Sequence, residues 1–301
     1  MSRVRNMDIS FAYNTSVPDF ISTLGYRDTT DPLSVSTGNP LLHKSHSHTT
    51  TYNYHRMWLR KQIVLGLNVS YNKDINPIAT LYRYNSTTGA YESKPMNVKG
   101  GNMWKFGVNY DQGIGVYFRL MNKFKVLTSK SYGFLTIVDN NDPNTVPDLN
   151  LQKRLGIDEN MELSYEAEKV QLTLFNDLQW NRYRYDDDTY NSSPLYNSLG
   201  ISATLKLSPF EMYIRLSDDF RKGYATSEMN GHKLMSMASI SYGFCKNKCR
   251  LSLFVDDIFN NDIWYDNNYS AFQRTETTTN YMHHYANLKF SYRFDAKAKK
   301  K

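Results

Sequence analysis

Long apolar runs are what the sequence most plainly lacks: the stretch Ile63–Leu67 spans about five residues, whereas a helix crossing a bilayer needs about 20. The opening Met1-Ser-Arg-Val-Arg-Asn-Met-Asp is broken by charges before an apolar run could form, so a secretory leader is not expected within the sequence. Cysteine is scarce, with only Cys245 and Cys249, and their spacing is not the C-x-x-C of a redox motif. Charge of one sign is also missing. The 36 Lys and Arg exceed the 29 Asp and Glu by seven, and residues 295–301, with four Lys and one Asp, supply +3 of that excess. The remainder is too weakly basic for a nucleic-acid surface. Neither Gly-x-Ser-x-Gly nor a phosphate-binding Walker loop occurs, and no EF-hand ligand pattern surrounds Asp186-Asp187-Asp188. With no catalytic constellation in view, the expectation is a protein that is not an enzyme and carries no cofactor.

What is present is aromatic. The chain has 24 Tyr, 15 Phe and 4 Trp, yet its mean hydropathy is −0.61. Such rings suit a boundary between oil and water, because the ring body faces the apolar side while the hydroxyl stays wet. Alternation then supplies the rest. Leu195, Leu199, Ile201, Ala203, Leu205 and Leu207 oppose Tyr196, Ser198, Gly200, Ser202, Thr204 and Lys206. Within 170–185, Val170, Leu172, Leu174, Leu178 and Trp180 oppose Gln171, Thr173, Asp177, Gln179 and Asn181. A helix would mix these sets; a strand separates them. Further two-faced segments lie at 63–72, 104–110, 116–126, 211–217 and 282–294, with Lys105, Arg119, Lys123, Arg215 and Lys289 on their polar faces.

Short connections near 59–62, 111–115, 167–169, 208–209 and 246–248 alternate with long polar ones at 14–45, 72–101, 138–149, 186–194, 226–231 and 258–279. Tight turns on one side and long loops on the other predict an all-β fold, a transmembrane antiparallel up-and-down β-barrel. About twelve strands are expected between Arg3 and Phe294, followed by a basic tail at 295–301. A soluble β-sandwich also alternates, but its strands are typically ~5–6 residues, shorter than these segments. The expected location is the bacterial outer membrane, with outer-membrane lipid as a partner and no nucleic acid.

Several segments resemble a known family. Pro18-Asp19-Phe20-Ile21-Ser22-Thr23-Leu24 is followed by Arg27-Asp28-Thr29-Thr30-Asp31-Pro32 and by Gly38-Asn39-Pro40-Leu41-Leu42. With Asn97-Val98-Lys99-Gly100-Gly101-Asn102-Met103-Trp104, Asp256-Asp257-Ile258-Phe259-Asn260 and the closing Asn287–Phe294 stretch, these are similar to the outer-membrane β-barrel family related to TonB-dependent receptors of Bacteroidetes. Leu42-His43-Lys44-Ser45 departs from the family's usual Lys-Pro-Glu at that point. The resemblance implies the carboxy-terminal part of a nutrient-importing barrel, part of a larger one in strand count, with plug and TonB engaged only through sequence upstream of this chain. It also implies that Asn287, Phe290, Tyr292 and Phe294 form the insertion signal read by the barrel-assembly machinery. A self-closed passive pore and a soluble β-sandwich binding module are the alternatives.

Three groups invite chemistry. His43, His46 and His48 are the densest imidazole cluster; His46 and His48 would share a strand face, although no Cys or carboxylate follows at metal-ligand spacing. Adjacent His283 and His284 would point to opposite faces. Cys245 and Cys249 flank a short turn and could approach disulfide distance, with two free thiols the other reading. Trp180, Tyr183, Tyr185 and Trp264-Tyr265 could stack sugars or chelates, or belong to the interfacial girdle.

Overall fold

A computed structural model describes residues 3–135, 137–139, 148–246, 248–260, 264–269, 274–279 and 284–294; the basic tail at 295–301 and His283 lie outside them. The alternating segments become one twelve-stranded antiparallel sheet. Its strands are β1 (Arg3–Ser16), β2 (Ser45–Trp58), β3 (Ile63–Ile75), β4 (Asn102–Ile114), β5 (Phe118–Phe134) and β6 (Leu149–Glu166). β7 (Val170–Arg184), β8 (Leu195–Leu207), β9 (Phe210–Lys222), β10 (Gly231–Phe244), β11 (Cys249–Asp256) and β12 (Tyr285–Tyr292) complete it. Each strand pairs with the next in sequence, so the sheet is an uninterrupted meander. β1 and β12 each keep one free edge, and the barrel is not closed.

Residues directly opposite in an antiparallel pair share a face, so the register carries the two faces across the sheet. Ser202 stands opposite both Thr173 and Arg215, and Ile201 opposite both Leu174 and Leu216. Ser164, Ser198, Ser217 and Asp219 on the polar face are buried, whereas Leu174, Ile201, Ile214 and Leu253 on the apolar face are 40–49% exposed. The sheet therefore curls with its polar face inward and presents aliphatic side chains outward. Lys105, Arg119, Lys123, Arg215 and Lys289 all fall on the inner face. Among the described residues only eight hydrophobic side chains are buried, too few to hold a water-soluble chain of this length. Among the described residues no second protein layer covers the aliphatic stripes, and the sandwich alternative falls on that observation.

Some positions depart from the simple pattern. Phe175 turns inward, opposite Glu162 and Gly200, where the bare glycine leaves room for its ring. On the outer face, Asn122 donates from Nδ2 to Glu159 Oε1 at 2.7 Å, so one cross-strand bond masks two polar groups amid apolar neighbours.

Five short turns lie at one end of the sheet and all long connections at the other. The turn between β4 and β5 falls at 115–117, slightly later than the spacing predicts, because pairing continues to Ile114–Phe118. At the turn between β10 and β11, Cys245 is exposed, Cys249 is buried, and both are free thiols.

The long connections fold on one another. Strand segments Arg27–Asp28, Ser34–Thr37, Ile78–Asn85, Tyr91–Asn97 and Ile137–Asp139 form a second, five-stranded sheet. At its base Leu81, Val98 and Phe134 make a small apolar cluster with Ala79, Met96 and Tyr132. The Gly38-Asn39-Pro40 motif is its clasp. Asn39 Nδ2 donates to Pro95 O at 2.9 Å, and its Oδ1 accepts from Leu41 N at 3.0 Å. Gly38 lies so close to the preceding turn that a Cβ there would come within 1.8 Å of Leu24 O. Gly38→Ala should therefore destabilise the loop sheet by about 1–3 kcal/mol. Gly25→Ala, whose Cβ would meet Pro40 at an ordinary 3.6 Å, should not. Protease cleavage within 17–44 on folded protein in detergent, faster for the first variant alone, is the measurement.

Candidate functional site

The inner wall is a continuous hydrogen-bonded surface built by the strand register. Asn53 Nδ2 donates to Asp8 at 2.9 Å and Asn68 Nδ2 to Asn53 Oδ1 at 2.5 Å, carrying one amide ladder across β1–β3. Arg119 binds Asp111 through two bonds of 2.9 and 2.6 Å, and Arg250 meets Glu211 at 2.5 Å. Lys105, Lys123 and Lys125 are exposed on this face and make no ion pair among the described residues.

Between β7 and β11 the wall deepens into a cleft of about 210 Å³, lined by Asp177, Tyr196, Ser198, Arg215, Ser217, Asp219, Asp256 and Asp257 among others. Asp219 is buried and accepts Ser198 Oγ at 2.6 Å and Tyr196 OH at 3.1 Å. The Arg215 guanidinium sits 3.8 Å above the Phe175 ring, held by a cation–π contact in a sheltered place. Such a surface can hold a polar or charged solute through several hydrogen bonds, and it contains no nucleophile–base pair that the geometry singles out.

A hairpin lies across the mouth. Trp264–Tyr269 and Arg274–Thr279, both within the connection between β11 and β12, pair antiparallel. Tyr269 stacks on Tyr183 of β7 with ring centroids 4.4 Å apart and an interplanar angle of 14°. The hairpin therefore reaches over β8–β10 to the inward-facing Tyr183 at the loop end of β7. Glu276 pins it from the other side. Its carboxylate accepts Ala225 N and Thr226 N, each at 3.2 Å, together with Thr226 Oγ1. Tyr269 OH at 3.1 Å and Arg274 at 2.8 Å complete the set. Burial pushes the Glu276 carboxyl up, but the bonds from Ala225, Arg274, Thr226 and Tyr269 outweigh it and hold it below its ordinary 4.5. Burial pushes the phenols of Tyr269 and Tyr224 up, so both stay neutral, and Tyr269 donates to Glu276.

The residues singled out in the sequence scatter. Tyr183 joins this mouth site, and Tyr185 OH accepts Gln152 Nε2 at 2.7 Å beside it. Trp180 faces outward, its indole N–H donating to Ser193 Oγ at 3.0 Å. The side chains of Trp264 and Tyr265 lie outside the described residues. His46 and His48 share the outer face of β2 and pack on Tyr13, whose hydroxyl is 2.7 Å from His46 Nδ1. His43 lies on the preceding loop, its backbone N–H donating to Asn97 Oδ1 at 2.7 Å. Among the described residues no group of three His, Cys, Asp or Glu is arranged for a metal ion. Asp187 caps the short turn at 188–190 and Asp186 accepts Leu151 N of β6 at 3.0 Å, so this acidic tip is tied up by its own loop and the neighbouring strand. Phe290 and Tyr292 face outward on β12 and Asn287 inward; Phe294 packs edge-on against Tyr292 at 4.5 Å.

Sequence reasoning missed Glu276, Tyr269 and Phe175. The alternating Thr275-Glu276-Thr277 after an aromatic-rich stretch was the available hairpin signal, obscured by the length of the connection.

Tyr269→Ala and Glu276→Gln should each release the hairpin, read as faster labelling of a cysteine placed at Ser198 in the cleft, in a chain whose Cys245 and Cys249 are replaced by Ser. Because the Glu276 carboxyl is held low, its contribution is complete above the ordinary carboxylate range and is lost as pH falls through its depressed value. Relative to an unhindered thiol at the same pH, which removes the fall in thiolate fraction, labelling should thus stay slow from neutral pH down to the ordinary range and accelerate only below it.

Residues 2–146, a little under half of the chain, match the model of the outer membrane protein beta-barrel family. No curated protein matches the chain. The matched part ends between β5 and β6, and the same meander continues for seven more strands with the same two faces. Taken with the outward aliphatic stripe, the polar inner wall and the alternation of turns and loops, the match makes this an outer-membrane β-barrel protein of the bacterial outer membrane.

Proposed function

We propose that the protein is the wall of an importer resembling the carboxy-terminal portion of TonB-dependent receptors, and that it passes a nutrient through the polar interior. The observation that supports this is the hairpin pinned by Glu276 and Tyr269 across a wall rich in charges and hydroxyls. A path covered at its mouth suits a gated route for a selected solute better than a standing hole. In this reading the role is transport with no catalytic step. The free edges of β1 and β12 are where further strands join, and plug and energy-coupling partner act through sequence outside this chain. The barrel-assembly machinery takes hold of the last strand through Asn287, Phe290, Tyr292 and Phe294.

One observation favours a second reading, a self-closed passive pore. The strand count is even, and β1 begins where β12 ends, at the turn side, so the two free edges run antiparallel and can pair. Planar-bilayer recording separates the two. The importer wall by itself should give no steady conductance. A stable conductance from the isolated chain, with heat-modifiable migration on gels, overturns the importer reading in favour of the pore.

A further inference from the structure

One transverse row of the outer face carries cations on nearly every strand it crosses. Reading the register along it, His48 of β2 stands opposite Lys73 of β3, and Lys73 opposite Asn102 of β4. Asn102 stands opposite Lys130 of β5, Lys130 opposite Lys153 of β6, and Lys153 opposite Arg184 of β7. Four permanent cations thus share six adjacent strands with no acid in the row. Lys130–Lys153 and Lys153–Arg184 are direct cross-strand pairs of like charge, an arrangement that destabilises a sheet.

Nearby acids do not relieve it. Asp74, next to Lys73, faces the inner side and accepts Asn72 Nδ2 at 2.9 Å. Asp186 takes Leu151 N. Asp188 reaches Arg184 only at 4.0 Å, with both side chains well exposed. Lys73, Lys130 and Lys153 make no ion pair among the described residues. Asp139, in the connection between β5 and β6, has no described side chain.

Position supplies the rest. The row lies one step beyond the outward pair Tyr71 and Trp104, whose rings are 4.5 Å apart, on the side of the long loops. Because barrel strands tilt by about 35–45°, the row runs obliquely across the loop-side half of the wall, which in an outer-membrane barrel faces the outer leaflet, and it passes beside the interfacial aromatic pair at β3 and β4. Leu155, two residues from Lys153 on the same outer face, offers an apolar bed directly below. Ammonium and guanidinium groups on long stems over aliphatic neighbours fit an anion that carries its own acyl chains.

We propose that Lys73, Lys130, Lys153 and Arg184 form a collar that binds the phosphate groups of an anionic lipid in the outer leaflet. The bound phosphates neutralise the like-charge pairs, so the sheet is most stable when the lipid is present. This holds whichever way solute passes through the interior.

The test compares wild type with the triple variant Lys130→Gln, Lys153→Gln, Arg184→Gln. Both are reconstituted in phosphatidylcholine vesicles, alone or doped with a bis-phosphorylated glucosamine lipid, and thermal unfolding is followed by circular dichroism. The expected result is a reversal. In phosphatidylcholine alone the variant melts above wild type, because repulsion has been removed; in doped vesicles wild type gains in Tm and the variant does not. Lys153→Arg, which keeps the charge, retains the gain and guards against a variant that simply fails to fold. Equal gains by wild type and the triple variant overturn the proposal. So does inorganic phosphate at matched concentration reproducing the whole gain, since that marks a site for a free anion and not for a lipid.

Discussion

A peptide N–H inside hydrocarbon has no water to bond, and that constraint organises the rest of this molecule. It is met by pairing each strand with its neighbour in sequence, β1 through β12, so that backbone groups of every interior strand are satisfied on both sides. Once the backbone is fixed in that way, the side chains have only two directions available. One set meets lipid, the other meets the interior, and the sequence must alternate to serve both. That only eight hydrophobic residues are buried among the described residues follows from this economy, because the bilayer covers the apolar face that a soluble protein would bury in itself.

Inside, polarity has the structural role that apolar packing has elsewhere. The Asp8–Asn53–Asn68 ladder, the Arg119–Asp111 pair and the Asp219 cluster tie neighbouring strands through their side chains, and the Arg250–Glu211 pair reaches across β10 to join β11 to β9. What apolar core exists lies beyond the membrane span, where the connections must fold in water: Leu81, Val98 and Phe134 under the five-stranded sheet. There too the Gly38-Asn39-Pro40 motif finds its physical meaning, as a close backbone approach closed by an asparagine.

Much of this was legible because the signals are local. Alternation in 195–207 marks a half-lipid, half-water strand by itself, and Ser208-Pro209 marks its end. The inner-face assignments of Lys105, Arg119, Lys123, Arg215 and Lys289 needed only parity within each segment, and the register confirms them. Phe175 was hidden because its parity conflicts with its chemistry; only Gly200 across the strand pair makes an inward ring possible. The hairpin at 264–279 was hidden because its partner contacts, the Ala225–Thr226 turn and Tyr183, lie about 50 and 86 residues away. The basic row was equally invisible: Lys73, Lys130, Lys153 and Arg184 are scattered singly, and each looks like an ordinary strand-end cation.

Sequence alone determined the class of the molecule, the number of crossings, the face on which each segment's polar residues lie and the side that carries long loops. These depend on period two and on turn chemistry, both properties of a few consecutive residues. Tertiary structure decided which residues stand opposite one another, and therefore where Glu276 pins the mouth hairpin, which ring Arg215 covers and which cations line up on the outer rim. A strand's period fixes the direction of a side chain but leaves its sliding register open. Only pairing with the neighbouring strand removes that freedom and sets distant residues side by side.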